Sequence, residues 1–127
     1  MPSPSTVYPG VLGVDAIQKL GGAALVLVTA SGALDPHTAN RYMITKGSIA
    51  ALTLAAPTAG ADDGLAIEVL SSTAFAHTVT ATGLLVDGAG HVNSATFPTT
   101  TGGGGALDLV AFNGKWYVQN SQNITFA

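Results

Sequence analysis

The sequence predicts an all-β fold, a small antiparallel sandwich or barrel of about seven to nine short strands with an extended N-terminal arm. Two observations predict it. From Ala23 onward the apolar residues follow the period of strands, and the apolar segments are short and separated by glycine, proline and aspartate turns. The length of 127 residues fits one such domain. We therefore expect an arm over residues 1–20 and a β domain over residues 21–127.

The arm is predicted from its prolines. Met1 to Gly10 contains three prolines and no apolar periodicity, so this stretch should run extended. Val14, Ile17 and Leu20 follow at helical spacing, but a segment this short between glycines would form only a marginal helix.

The strands are predicted where short apolar segments lie between turn residues. In chain order these segments are 23–29, 41–45, 49–54, 65–70, 76–82, 106–112, 115–118 and 124–126. The first is apolar throughout, which suits a strand buried on both faces. In the segment 76–82, alternation places His77, Val79 and Ala81 on one face.

The clearest local signal is a hairpin near the C-terminus. Asn113-Gly114 between two apolar segments is typical of a type I′ turn. This turn would pair Phe112 with Lys115, Ala111 with Trp116, Val110 with Tyr117 and Leu109 with Val118. One face then carries Leu109, Ala111, Trp116 and Val118, the natural core side. The other face, with Val110, Phe112 and Tyr117, is also too apolar for water, so we expect a second sheet or a neighbouring subunit to cover it.

Charge is scarce throughout the chain. Four Lys or Arg and seven Asp or Glu give a net charge of −3, and charged residues make up 9% of the sequence against about 25% in ordinary domains. No dense positive field exists to bind the phosphates of nucleic acid. So few charges do not cover the surface of a soluble domain, which favours an obligate oligomer. A surface rich in Thr, Ser, Asn and Gly is the alternative.

Several classes of protein are excluded or disfavoured. Cysteine is absent, so disulfides, zinc thiolate sites and thiol nucleophiles are excluded. The longest apolar run, Leu20 to Ala30, is too short and too rich in glycine to span a membrane. Lys19 precedes this run, but the residues before it carry Asp15 and no cation, so we expect no signal peptide.

Catalytic chemistry is not indicated. Three histidines are the only candidate bases: His37 in a solvated turn, His77 on a strand and bonded to a neighbouring hydroxyl or to backbone, and His91 in a flexible turn. No nucleophile and orienting group accompany them, so no enzyme and no cofactor are predicted.

Metal and phosphate sites lack their motifs as well. Asp87 with His91, and Asp62 with Asp63, match no calcium or zinc spacing. The glycine-rich run 99–105 lacks the Gly-Lys-Ser/Thr of a phosphate loop. We interpret it as a loop with unusual dihedral angles or one that approaches another chain closely.

Four segments carry a resemblance to a known family: 51–57, 60–64, 76–80 and 109–117. In their strand and turn patterns they resemble head decoration, or cement, proteins of tailed bacteriophages, and the resemblance covers roughly residues 46–126. It implies a non-enzymatic virion protein that forms a homotrimer on the outer surface of the capsid. There it would clamp neighbouring subunits of the major capsid protein, with no nucleic acid or membrane as partner.

Six residues are candidates for contact with the capsid or between subunits. Tyr8 would anchor the extended arm on a partner, with an unstructured terminus as the alternative. Arg41 and Tyr42 belong to the residue types that most often carry interface energy, with a core tyrosine beside a solvated arginine as the alternative. Val110, Phe112 and Tyr117 form the outer face of the hairpin.

Other functions stay open at this point. A trimeric tail-fibre or receptor-binding module is favoured by the Thr, Ser and Gly loops. A β-rich hydrolase lacks a catalytic set. A barrel that binds a small molecule would need an interior cavity.

Overall fold

The computed structural model describes residues 24–88, 90–101 and 103–127, and this part of the chain is all-β. Its ten strands are β1 (Val26–Val28), β2 (Gly32–Leu34), β3 (Arg41–Ile44), β4 (Ala51–Leu54), β5 (Ala66–Ser71), β6 (Thr78–Val86), β7 (His91–Thr96), β8 (Ala106–Phe112), β9 (Lys115–Gln122) and β10 (Thr125–Phe126). The predicted arm and the marginal helix within residues 1–20 lie outside the described residues. In the described part, no helix is long and apolar enough to cross a bilayer.

The first six strands alternate between two groups of parallel strands. In the first group, here called the odd wing, β3 pairs with β1 and with β5. In the second, the even wing, β4 pairs with β2 and with β6. The chain therefore passes from one wing to the other after each strand and makes three successive turns of a coil.

The expectation of an antiparallel fold is wrong for this coil. Of the nine strand pairs in the described residues, five are parallel. Parallel neighbours need a long crossover connection, and here each crossover contains a strand of the opposite wing. Alternation of apolar residues shows that a segment is a strand but does not show its direction, which is why the sequence pattern missed this arrangement.

The C-terminal hairpin joins the two wings into one curled half-barrel sheet. β8 pairs antiparallel with β5 at the edge of the odd wing, and β9 pairs in parallel with β6 of the even wing. The predicted hairpin is confirmed, because all four expected pairs are present and Asn113 and Gly114 both have positive φ, 50° and 80°.

β6 pairs with three neighbouring strands. Its first residues, from Thr78, pair with β4, whereas Leu85 and Val86 pair with β9. β7 runs antiparallel beside both halves, with a register shift between Thr80 and Leu85, and β10 pairs with β7. Gly83 lies at this shift with φ of 69°, and its N–H donates to the Asn93 side chain over 2.8 Å.

One core serves both wings. Alternate side chains of each strand point inward, and the largest fully buried ones are Trp116, Phe97, Ile44, Leu52, Leu85, Leu107 and Leu109. The Trp116 indole N–H donates to the Ala55 carbonyl over 2.9 Å, so its one polar atom is satisfied. His77, Val79 and Ala81 share the buried face of their segment, as predicted.

The prediction that the first strand is buried on both faces is wrong. β1 lies at the edge of the odd wing, and Leu25, Val26 and Leu27 are exposed, with Leu27 at 57%. Only Val28 reaches the core. An apolar run suits a doubly buried strand and an exposed edge strand equally well, so composition did not distinguish them.

The glycine-rich loop has the unusual dihedral angles expected of it, but its close approach is to this chain. Gly103 has φ of 81°, and a Cβ there would lie 2.5 Å from the Ser71 carbonyl oxygen. A Cβ on Gly105 would lie 2.5 Å from the Phe97 ring. The neighbours that require glycine here belong to this chain.

Candidate functional site

His77 is a structural histidine of the core. Its Nδ1 accepts the Ala50 N–H over 2.9 Å, so Nε2 carries the proton and donates to Thr73 Oγ1 over 2.7 Å. The rings of Phe75 and Phe97 pack edge-on against it. Burial, with a smaller contribution from the Lys46 charge, holds the pKa of His77 below its usual range. The prediction that His77 bonds to a neighbouring hydroxyl or to backbone is confirmed, and the structure shows one bond of each kind.

His37 joins two loops. It lies in the predicted turn after Asp35, and its imidazole is 63% exposed. Its Nε2 is nonetheless 2.9 Å from Asp62 Oδ1, and its Nδ1 is 3.6 Å from Asp35 Oδ1. The Asp62 carboxylate raises the pKa of His37 through this hydrogen bond and its charge. Sequence spacing gave no sign of the contact, since Asp62 lies on the loop between β4 and β5.

The turn predicted around His91 is in part a strand. β7 begins at His91, which pairs with Val86 and is exposed. Over the described ranges, no cluster of three or more His, Asp or Glu side chains is placed to hold a metal ion.

The outer face of the hairpin is an uncovered apolar surface. Phe112 is 55% exposed and Tyr117 is 36% exposed, and their rings meet edge-on with centroids 6.0 Å apart. Val110 lies half-buried between Ala66 on β5 and Tyr117 on β9, its cross-strand partners. No second sheet of the described chain covers this face. We call Val110, Phe112 and Tyr117 the outer hairpin face.

Tyr42 and Arg41 lie in different environments, one in the core and one on the surface. Tyr42 is 5% exposed, and its hydroxyl lies 2.9 Å and 3.0 Å from the carbonyls of Asp35 and Ala39. The structure thus favours the core alternative for Tyr42. Arg41 points outward and donates from Nε to Glu68 Oε1 over 2.8 Å. Tyr8 lies outside the described residues.

A row of polar side chains starts at Arg41 and crosses four strands. Arg41 pairs in register with Glu68, Glu68 with Asp108, and Asp108 with Asn120. Asp108 Oδ1 is buried without a hydrogen-bond partner, and burial and the Glu68 carboxylate raise the pKa of Asp108. Only the strand order brings these residues together, so the sequence pattern did not reveal them.

β1 and β2, which form the first turn of the coil, are short edge strands. β1 has β3 as its neighbour on one side, and β2 has β4. Their opposite sides face no strand of the described chain, and unpaired strand edges are sites where further strands add.

Neither a scan of protein-family models nor a search of curated proteins finds a match to this chain.

Proposed function

We propose that this protein is a capsid decoration protein of a bacteriophage virion, which binds as a homotrimer to the outside of the head and stabilises contacts between major capsid protein subunits. The observation that carries the proposal is the outer hairpin face. The resemblance of residues 46–126 to head decoration proteins supports the assignment to the virion.

The outer hairpin face has the composition of a protein contact. Aromatic residues are enriched at interfaces, and the cores of interfaces are depleted of charge. Phe112 and Tyr117 form an exposed aromatic pair beside Val110, and half-buried Val86 extends the row beyond Tyr117. Exposed apolar patches on soluble proteins mark interaction sites. This face is therefore proposed as the contact between subunits of the trimer.

Attachment to the head is proposed to involve the N-terminal arm and the exposed Arg41. In residues 1–20, the prolines reduce the entropy lost when the arm lies along a capsid subunit, and Tyr8 would be its anchor. Three arms on one trimer multiply weak contacts through effective concentration. The two wings around their common core would act as the layers of a sandwich that resists deformation. The activity is binding, and no covalent bond is made or broken.

The alternative is a trimeric tail-fibre or receptor-binding module. The edges of β1 and β2 favour it, because they leave the first turn of a parallel coil open. A shaft of parallel strands would continue the coil from these edges.

The test combines solution mass with capsid binding. Light scattering should give about three times 12.6 kDa, and the same preparation should co-sediment saturably with heads stripped of their outer proteins. A stable trimer that ignores heads would move the assignment to the tail module. A monomer that leaves heads unbound would overturn both proposals.

A matched pair of variants tests the outer hairpin face itself. Phe112→Ser combined with Tyr117→Ser should shift the mass toward that of a monomer. Ile49→Ser is the control, since Ile49 is equally exposed, at 56%, but lies before β4, away from the hairpin. Loss of the trimer in both variants, or in neither, would contradict the assignment of this face.

A further inference from the structure

A cleft of about 350 Å³ lies between the β2–β3 loop and the β4–β5 loop. Its inner surface is apolar and includes the buried side chains of Leu34 and Trp116. Its walls include Pro36, Ala56 and Pro57. Short and rigid side chains of this kind leave a slot with little conformational entropy to lose when a ligand enters.

Two carboxylates stand among the lining residues. Asp35 comes from one loop and is 63% exposed, whereas Asp62 comes from the other and is 14% exposed. His37 lies between them, bonded to Asp62 and close to Asp35. The cleft therefore combines an apolar interior with anionic groups from two separate elements.

Both carboxylates retain capacity to accept hydrogen bonds. Asp62 accepts from the Thr58 N–H and pairs with His37. Asp35 accepts from the His37 N–H and from the Thr38 hydroxyl. A carboxylate offers about four acceptor positions, so about two remain on each.

The charge of the cleft is unbalanced. Among the described residues that line it, none is a lysine or an arginine. Asp63, the next residue after Asp62, is a further carboxylate on the same loop. When His37 is neutral the site carries net negative charge, which is complementary to a cation on an apolar stem.

We propose that this cleft binds a basic side chain of a partner protein. The aliphatic stem lies along the proline and alanine walls, and the cationic head meets the remaining acceptor positions of Asp35 and Asp62. Long basic side chains bury their methylene groups on apolar surface while the charge meets anionic or hydrated groups. The proposal does not depend on capsid attachment, because the cleft and its carboxylates belong to this chain alone.

His37 makes this binding dependent on pH. The groups that face it are Asp35 from the β2–β3 loop and Asp62, next to Asp63, from the β4–β5 loop, while β9 contributes the uncharged Trp116. A protonated His37 supplies the cation that the carboxylates attract and thus competes with the ligand. Linkage requires the converse as well, so a bound cation lowers the pKa of His37.

The experiment is an NMR titration of the full chain with N-acetyl-lysine N-methylamide. Binding should shift the Trp116 indole N–H and the His37 ring signals saturably, lower the pKa of His37, and tighten as the pH rises through that pKa. The norleucine analogue, which keeps the stem and lacks the charge, should bind at least about tenfold more weakly, the loss expected for one charge-assisted contact.

Three variants sharpen the test. Asp62→Asn should weaken binding of the lysine probe about tenfold, whereas Glu68→Gln, which removes one charge on β5, should leave it unchanged. His37→Gln should keep binding but abolish its pH dependence. This variant distinguishes loss of the Asp62 charge from disorder of the loop caused by Asp62→Asn. Absence of saturable shifts, equal binding of the two probes, or unchanged pH dependence in His37→Gln would overturn the proposal.

Discussion

At the scale of single residues, buried His77 and half-buried Asp108 act on stability in opposite directions. His77 is held neutral in the core, with both ring nitrogens bonded to Ala50 and Thr73. Asp108 faces Glu68 across the strand pair and has an oxygen without a partner. Burial disfavours the charged form of each group, so acid opposes folding through His77 and favours folding through Asp108.

The contribution of His77 should be lost in acid. Its pKa in the folded chain lies below the value of 6.5 expected in the unfolded chain, so the unfolded state binds more protons as pH falls below that value. His77→Leu removes the titration and leaves the buried Ala50 N–H unpaired, which should cost about 1–3 kcal/mol at neutral pH. In urea unfolding, the difference in free energy of unfolding between the variant and the natural chain should narrow below about pH 6.5.

The control for that measurement is His91→Gln, because His91 is exposed at the start of β7. Its free energy of unfolding at neutral pH should stay within about 0.5 kcal/mol of that of the natural chain. A gap for His77→Leu that stays constant with pH would show that His77 does not titrate with the folding transition.

Asp108→Asn should stabilise the protein near neutral pH. Like charges directly opposite on antiparallel strands destabilise a sheet by up to about 1 kcal/mol, so a gain of about 0.5 kcal/mol is expected. The raised pKa of Asp108 means that its proton stabilises the fold at low pH and that this is lost as pH rises from 3.8 through the folded value. The advantage of the variant should therefore shrink toward pH 3.8, measured by unfolding across that range.

A double-mutant cycle isolates the partner of Asp108. In a chain that already carries Glu68→Gln, Asp108→Asn should give a smaller gain, because the opposing charge has gone. An equal gain in both backgrounds would attribute the effect to burial of Asp108 alone.

At the scale of elements, the sequence determined local pairing better than long-range pairing. Asn113-Gly114 and the alternation around it predicted the turn, the register and the buried face of Trp116. Parallel pairs such as β3 with β5 join segments separated by a strand of the other wing, and no local pattern encodes such a partner. The sequence pattern also missed β2, because this strand has only three residues and begins with a glycine.

The hairpin turn gives a direct test of that local determination. Gly114 has φ of 80° and the nearest atom to an added Cβ is 3.9 Å away, so Gly114→Ala adds conformational strain without a clash. The expected loss in unfolding free energy is about 1–2 kcal/mol. Gly47→Ala is the matched control, because Gly47 has open space around it and no positive φ; its effect should stay within about 0.5 kcal/mol. Equal losses would show that the turn geometry is not what Gly114 supplies.

The candidate sites also differ in whether local or long-range pairing brings their residues together. Val110, Phe112 and Tyr117 were predicted together because one hairpin places them on one face. Asp35 and Asp62 reach the same cleft only through the loops of the coil, and Glu68 meets Asp108 only through the order of the strands. The sequence-based interpretation of Tyr42 as a contact residue lacked its tertiary surroundings, which place it inside the core.

At the scale of the whole molecule, the low charge content agrees with the way that charged and apolar side chains are distributed over the surface. Four basic and seven acidic residues serve the entire chain. Several of them are occupied internally, as in the pair of Arg41 with Glu68 and the contact of His37 with Asp62. Among the described residues, the large exposed apolar side chains instead lie on the outer hairpin face and in or next to β1, apart from Ile49 before β4. Association through such surfaces depends on apolar burial more than on ion pairs.

This distribution predicts how association responds to salt. Sodium chloride screens exposed ion pairs, so the mass of the proposed oligomer and its proposed attachment to heads should change little between low and high concentrations. Ammonium sulfate strengthens apolar burial and should shift a dilute sample toward the oligomer. Light scattering at a concentration where both species are present measures each effect, with Phe112→Ser combined with Tyr117→Ser as the control that should lose the response to sulfate. Dissociation of the natural protein by sodium chloride would instead place its contacts among the few charged side chains, Arg41 and Lys115 first.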